Sequence, residues 1–289
     1  MDDALSSHAA FAEPWCVTHP LTARDQSAVA QMRIMVAPLK GGMRGVAVRP
    51  TFEAIMQQTA APEDVTWRAD RVGGVSGWWC EPDGAPDDVA ILHLHGGWFT
   101  WGTAEAFRHL VGHIARSAGA KAFVADYRLA PEHPFPAGLD DAQGCFDGLL
   151  ERGFRAVAVT GDSAGGNLAL GLLVKAAAQA PERLAGAVVL SPVTDLTLSG
   201  QSWTSRAEAD PVFVRDQAEE LISTYLAGHA PADPAASPLF SELSGLPPVR
   251  VHVGNDELLR DESLNYVQRA VAAGVDAQVN VWIGMPTGS

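Results

Sequence analysis

The strongest constraint on this chain is an alternation of two hydrophobic periods. Short apolar runs that close on turn residues are followed by helical patterns of roughly 10 to 15 residues, repeatedly from Val89 to Leu190. The run Val89 to His95, VAILHLH, stops at Gly96-Gly97 and reads as a strand buried on both faces. A helical stretch follows near Ala104 to Ala118, then a strand at Ala122 to Asp126 and a helix near Ala137 to Arg152. Next come a strand at Ala156 to Thr160, a helix from Ala164 to Ala180 and a strand at Leu184 to Leu190. Between Ser191 and Pro248 the alternation lapses, leaving one helical pattern at Arg215 to Leu226. It resumes with a strand at Val249 to Val253, a helix at Asp261 to Ala273 and a strand at Val275 to Ile283. In that last strand Val275, Ala277, Val279, Val281 and Ile283 share one face. This order predicts an α/β domain with a mostly parallel sheet, helices on both faces and ligands at the carboxyl ends of the strands.

Upstream, VTWRA and GVSGWWCEP read as two further short strands beginning at Val65. Residues 1–60 mix short helical patterns with breakers at Pro14, Pro20, Pro38, Gly41-Gly42 and Pro50, and predict no strand. They read as an N-terminal cap segment on a core of residues 61–289, whose polar insertion at 196–236 completes the cap.

Composition narrows the partners. With 289 residues, 47% of them hydrophobic, the chain can close a large core unaided, which excludes a disordered tail or a disulfide-stapled miniprotein. Twenty Lys+Arg against 34 Asp+Glu leave a formal charge of −14, which repels phosphate backbones and anionic bilayers, so neither a nucleic acid nor a membrane is an expected partner. Cys16, Cys80 and Cys145 are odd in number and widely spaced, and read as buried free thiols. The first residues lack a basic, then apolar, leader pattern, and no run approaches the roughly 18 apolar residues of a membrane span, so a cytoplasmic protein is expected.

Two glycine-rich turns carry the chemistry. Gly161-Asp162-Ser163-Ala164-Gly165 is G-x-S-x-G directly between a predicted strand and a predicted helix, the context in which such a serine is a nucleophile. The flanking glycines let backbone pass without a Cβ clash, and the following helix offers the positive end of its dipole to an oxyanion. The competing account is a serine that caps a helix after a glycine-rich turn. His95-Gly96-Gly97-Trp98 ends another central strand, and the N–H groups of Gly96 and Gly97, with that of Ala164, form the expected oxyanion hole. His93 and His95 have the spacing of two metal ligands, but no third ligand follows, so no metal is expected. His95 is assigned to orienting the loop and His93 to the core.

HLHGGW, then YRLAPEHPFPA at Tyr127 to Ala137, then GDSAGGN at Gly161 to Asn167, resemble the hormone-sensitive lipase-like (bacterial family IV) esterases of the α/β-hydrolase superfamily. SPLFSELSGLPPVRVHVGNDELLRDES, Ser237 to Ser263, extends the likeness, which runs from Val65 to the end of the chain. The resemblance implies an α/β-hydrolase fold with a helical cap, hydrolysis of carboxylic esters, and no metal or organic cofactor. The family's HGGG stands here as HGGW, with Trp98 at the third position. Gap-free alignment to the family's D/E-x-L-x-D pattern puts the triad acid at Glu257, with Asp256 beside it as the alternative. The family's base is a histidine in a G-M-P-H-G-F-like turn. Here that turn reads Gly284-Met285-Pro286-Thr287-Gly288-Ser289, so the catalytic His is absent and Thr287 takes its place. All nine histidines precede the turn, and a threonine hydroxyl is no base near neutral pH. The family's last helix also has no counterpart after this turn, and both departures read as an incomplete or altered C-terminus. The expectation is an esterase impaired in this form.

Trp98, Phe99 and Trp101, with Trp203 and Phe213 of the insertion, are the candidate walls of an apolar substrate pocket; core packing is the competing account for each. The resemblance implies a small neutral ester or lactone. Two further readings stay open: a non-catalytic small-molecule binding protein, as in the plant gibberellin receptors that resemble this family and lack the histidine, and a peptidase of the same fold. Apolar sheet exposed by a missing helix would favour a homodimer.

Overall fold

The structure, a computed structural model, describes residues 13–287. Nine strands form one sheet in the order β1-β9-β8-β7-β6-β4-β5-β3-β2. They are β1 (Cys16–His19), β2 (Val65–Val72), β3 (Val75–Pro82), β4 (Val89–Leu94), β5 (Lys121–Ala125), β6 (Ala156–Asp162), β7 (Leu184–Leu190), β8 (Val249–Gly254) and β9 (Ala277–Trp282). Pairing is parallel from β1 through β5 along that order, while β3 runs antiparallel to both β5 and β2. The helices of the core are α3 (Ala104–Ala118), α4 (Ala137–Glu151), α5 (Ser163–Ala177) and α8 (Arg260–Ala272).

Period-two alternation explains how the sheet binds two layers. In β4, Leu92 joins a large cluster with Val159, Val189, Val251, Val279 and Leu168, while its neighbour Ile91 joins a smaller one with Ala122, Val124, Phe107 and Val111. Successive side chains therefore feed opposite faces. Central β4 lies between β5 and β6 and is buried almost throughout, which is why it reads as a continuous apolar run. Helix α3 is capped at Thr103, whose hydroxyl accepts from Ala106 N–H (3.2 Å), and stops at Gly119 in the left-handed region (φ 61°).

Two local expectations fail. The first 60 residues do contain a strand: β1 pairs with β9 in the register Cys16↔Val279. Its four residues carry no pattern of their own and become a strand only because the β9 edge offers unpaired backbone groups. Ile283 does not continue the buried face of β9; it lies one residue beyond the pairing and is 41% exposed. Residues 1–12 of the N-terminal segment lie outside the described residues.

What is described of that segment includes α1 (Ala23–Val36) and α2 (Arg49–Met56). Helix α1 begins with a capping box, in which Thr22 and Asp25 each satisfy the other's backbone N–H. The segment packs on the insertion that holds α6 (Ser202–Ser205) and α7 (Arg215–Leu226). Gly41 N–H donates to Val212 O (3.2 Å), Gln217 Nε2 to Met43 O (2.6 Å), and the Arg44 guanidinium to Asp216 and Glu220 (2.7 and 2.8 Å). All three cysteines are free and buried, and among the described residues no helix is long and apolar enough to cross a membrane.

Candidate active site

Strand β6 delivers Asp162 to the carboxyl edge of the sheet, and the chain turns into α5 at the next residue. Ser163 makes that turn at φ 52°, a left-handed conformation that a non-glycine residue holds only when its surroundings impose it. Close approach is what imposes it. A Cβ on Gly165 would stand 1.9 Å from Leu94 O, and one on Gly161 would stand 2.4 Å from Gly165 O, so only glycines allow the crossing. The Ser163 carbonyl is tied to the chain after β7 by Val193 N–H (3.0 Å), whereas its hydroxyl makes no hydrogen bond among the described residues.

The turn after β4 lies against it. Gly96 N–H donates to Asp162 Oδ1 (2.9 Å), which corrects its expected place in the oxyanion hole: that donor is already used, to hold the two turns together. Gly97, Trp98 and Phe99 follow with φ of 122°, 51° and 57°, and Thr100 and Trp101 N–H both return to Gly97 O. This run of positive φ presents successive N–H groups on one side. Among the described residues the N–H groups of Gly97, Trp98 and Ala164 have no partner. The loop is braced from behind by Tyr127, whose hydroxyl donates to His95 O (2.6 Å), and by Arg49, which donates to Thr100 O (2.8 Å).

The two histidines are structural. His95 Nδ1–H donates to Gly96 O (2.8 Å) and its ring stacks on Tyr127 at 4.4 Å; burial pushes its imidazole down to about 4, so it is neutral. His93 Nδ1 shares a hydrogen bond with Thr160 Oγ1 (2.9 Å). Among the described residues no three His, Cys, Asp or Glu side chains are grouped to hold a metal. His252 accepts from Trp282 Nε1 (3.2 Å) and stacks on that ring.

Glu257 and Asp256 part company in space. Glu257, 2% exposed, accepts at Oε1 from Ser191 Oγ (2.7 Å) and Gly254 N–H (2.6 Å), and Oε2 has no partner. Ser191 is itself held at φ 45° just past β7. Burial pushes the Glu257 carboxyl up to about 8; the hydrogen bonds from Ser191 and Gly254 oppose the shift, and the Asp210 carboxylate adds to it. Asp256 faces outward and pairs with Arg33 (2.7 Å).

The turn after β9 packs on this acid loop. Met285 O accepts from Asp256 N–H (3.1 Å), and a Cβ on Gly254 would stand 2.1 Å from that same oxygen. Thr287 is buried, and its hydroxyl donates to Asp210 Oδ2 (2.6 Å).

Comparison with known proteins gives the family. Residues 91–288 match the family described as the alpha/beta hydrolase fold. The chain is 34% identical over 83% of its length, and 79% of the relative's, to an acetyl-hydrolase of Streptomyces hygroscopicus. It is 32% identical, over 83% of its length and 80% of the relative's, to an esterase of Acinetobacter venetianus. The crystal structure of an esterase from the bacterial hormone-sensitive lipase family superposes with a TM-score of 0.86 at 35% identity, covering 93% of this chain and 91% of that one. The chain is a hormone-sensitive lipase-like member of the α/β-hydrolase fold family. The sheet and its flanking helices are thus the α/β-hydrolase frame.

Within that frame the candidate aromatic walls separate. Trp98 is buried with its ring edge-on to Phe213 (5.5 Å) and near Trp203 (6.5 Å), so these three do meet. Phe99 stacks on Tyr225 at 3.7 Å, and Trp101 packs on Phe52 while its Nε1–H donates to Gly45 O (2.8 Å). Sequence reasoning missed Asp210 and Ser191, both in the irregular stretch between β7 and β8. The only signal there was a Ser-Pro following a strand end.

Proposed function

We propose that this chain is a carboxylic ester hydrolase scaffold for small neutral esters, with Ser163 as nucleophile and an acyl-enzyme as its intermediate. The carrying observation is the Ser163 turn: a strained serine at a helix N-terminus, its hydroxyl unengaged, beside backbone N–H groups that nothing else uses. The oxyanion donors in this reading are Gly97, Trp98 and Ala164 N–H. Attack by Ser163 Oγ on an ester carbonyl places negative charge on the carbonyl oxygen, where those dipoles stabilise it; losing one such donor typically costs about 10²–10³-fold in rate. Trp98, Trp203 and Phe213, whose rings meet, are the apolar wall proposed for the acyl side. The N-terminal segment and the 196–236 insertion together form the cap over it.

Glu257 takes the acid's part, because it is the buried carboxyl of the loop on which the 284–287 turn packs, whereas Asp256 of the same loop is spent on Arg33. The base is missing. Thr287 donates its proton to Asp210 and cannot accept the Ser163 proton, so this form is impaired in both acylation and deacylation. The same observation supports the second reading, a protein that binds a small neutral ligand in the same site without turnover.

A fluorophosphonate probe tests the nucleophile. Slow adduct formation on Ser163, found by peptide mass spectrometry and absent in Ser163→Ala, is the expected result. Labelling unaffected by Ser163→Ala would refute the nucleophile assignment.

A further inference from the structure

Besides its backbone bonds to β9 and the acid loop, the turn that carries residue 287 is held by two residues from outside the sheet. Arg33, on α1, makes three bonds with one guanidinium: Nη1 to Ala209 O (2.7 Å), Nη2 to Asp256 Oδ2 (2.7 Å) and Nη2 to Gly284 O (3.3 Å). It therefore joins the N-terminal segment to the insertion, the acid loop and the 284–287 turn at one point. The next residue of the insertion, Asp210, reaches in from the other side and is wholly buried. Its Oδ1 accepts from Val212 and Phe213 N–H (2.9 and 3.2 Å), and its Oδ2 accepts from Leu258 N–H (3.1 Å) and Thr287 Oγ1 (2.6 Å).

A carboxylate taken fully out of water is costly unless its lone pairs are all met. Here two donors come from the insertion itself and two from the core, one in the acid loop and one in the 284–287 turn. Packing alone would be served as well by an apolar side chain at this position. The arrangement makes sense if the insertion has to be seated for residue 287 to be held beside the acid.

We infer that Arg33 and Asp210 are positioning residues which couple closure of the N-terminal segment and the insertion to placement of residue 287 beside the acid loop. Lifting the insertion withdraws Ala209 O from Arg33 and the Asp210 carboxylate from Leu258 and Thr287 in one movement, so the turn loses its bond to Asp210 while the Arg33 that holds Gly284 O loses one of its own anchors. Catalytic geometry is then assembled only in the closed state, when water is also excluded. The inference rests on reading the 284–287 turn as the base turn.

The test uses the full chain carrying Thr287→His, alone and combined with Asp210→Asn, Arg33→Ala or Arg33→Lys, assayed with p-nitrophenyl acetate from pH 5 to 9. Asp210→Asn should lower kcat about tenfold or more with KM nearly unchanged, and lower the pKa of the acid limb by about one unit, because the imidazolium loses a nearby carboxylate. Arg33→Ala should lower kcat similarly, and Arg33→Lys should restore most of it. Hydrogen exchange over residues 284–287, in the chain that keeps Thr287, should quicken about tenfold with Arg33→Ala and with Asp210→Asn. An active T287H chain whose kcat and pH profile ignore all three changes overturns the coupling alone. An inert T287H chain overturns the functional reading and the coupling with it.

Discussion

Replacing Thr287 by histidine should raise kcat/KM toward p-nitrophenyl acetate by about 10²–10⁴-fold, the range that a positioned general base supplies. The other groups of the proposed reaction are already present. The Ser163 hydroxyl is unengaged, three backbone donors lack partners, and a buried carboxyl lies in the loop on which the 284–287 turn packs. An imidazole at 287 would take the Ser163 proton during acylation and return it to the leaving alkoxide, and its charged form would draw the Glu257 carboxyl into the ionised state that steadies it. Thr287→Ala should leave the basal rate where it is, since the threonine hydroxyl contributes no base. Adding Ser163→Ala to T287H should abolish the gain. A gain that survives the loss of Ser163 would mean that the histidine acts on water instead, and the covalent route would be wrong.

The second large effect is on stability. The Glu257 carboxyl, ordinarily near 4.5, is raised to about 8 in the folded state by burial. Between those two values the native chain holds a proton that the unfolded chain has released, so native stability is complete below the lower value and is lost as pH rises toward the upper one. The slope is about 1.4 kcal/mol per pH unit. Glu257→Gln keeps the shape and an acceptor for Ser191 and Gly254 but has no proton to lose. Urea midpoints of the two proteins should therefore agree near pH 5 and diverge above it, with the glutamine form more stable at pH 8 by a few kcal/mol. Parallel curves from pH 5 to 8 would show that the carboxyl is solvated and that the acid loop is more open than described. Other buried carboxyls, Glu262 above all, titrate in both proteins and cancel in the difference.

Most of the frame was legible because each core element carries its own period. β4, β6, β7 and β8 are apolar runs that end on turn residues, and α3, α4, α5 and α8 alternate with them, so the parallel sheet follows from local pattern alone. The Ser163 turn was legible for a related reason: the glycines at 161 and 165 are demanded by contacts of 2.4 and 1.9 Å and leave a spaced signature. What stayed hidden was everything fixed by distant partners. β1 is a strand only through β9, 263 positions away in the chain by the pairing Val17↔Asn280. Gly96 loses its N–H to Asp162, a side chain 66 positions later that the motif itself does not specify. Asp210 sits in a stretch without period, and its four donors come from residues 212, 213, 258 and 287. Carboxylates in such stretches usually read as solvated surface, and only the fold reveals one turned inward.

In the proposed site Ser163 faces the unpaired N–H groups of the 97–98 turn and of Ala164 across one crevice. The most direct measurement is a crystal structure of the T287H chain after reaction with diethyl p-nitrophenyl phosphate. The expected result is phosphorus bonded to Ser163 Oγ, with the phosphoryl oxygen about 2.7–3.1 Å from the N–H groups of Gly97, Trp98 and Ala164. A phosphoryl oxygen turned to solvent, or an adduct on any other residue, would contradict it.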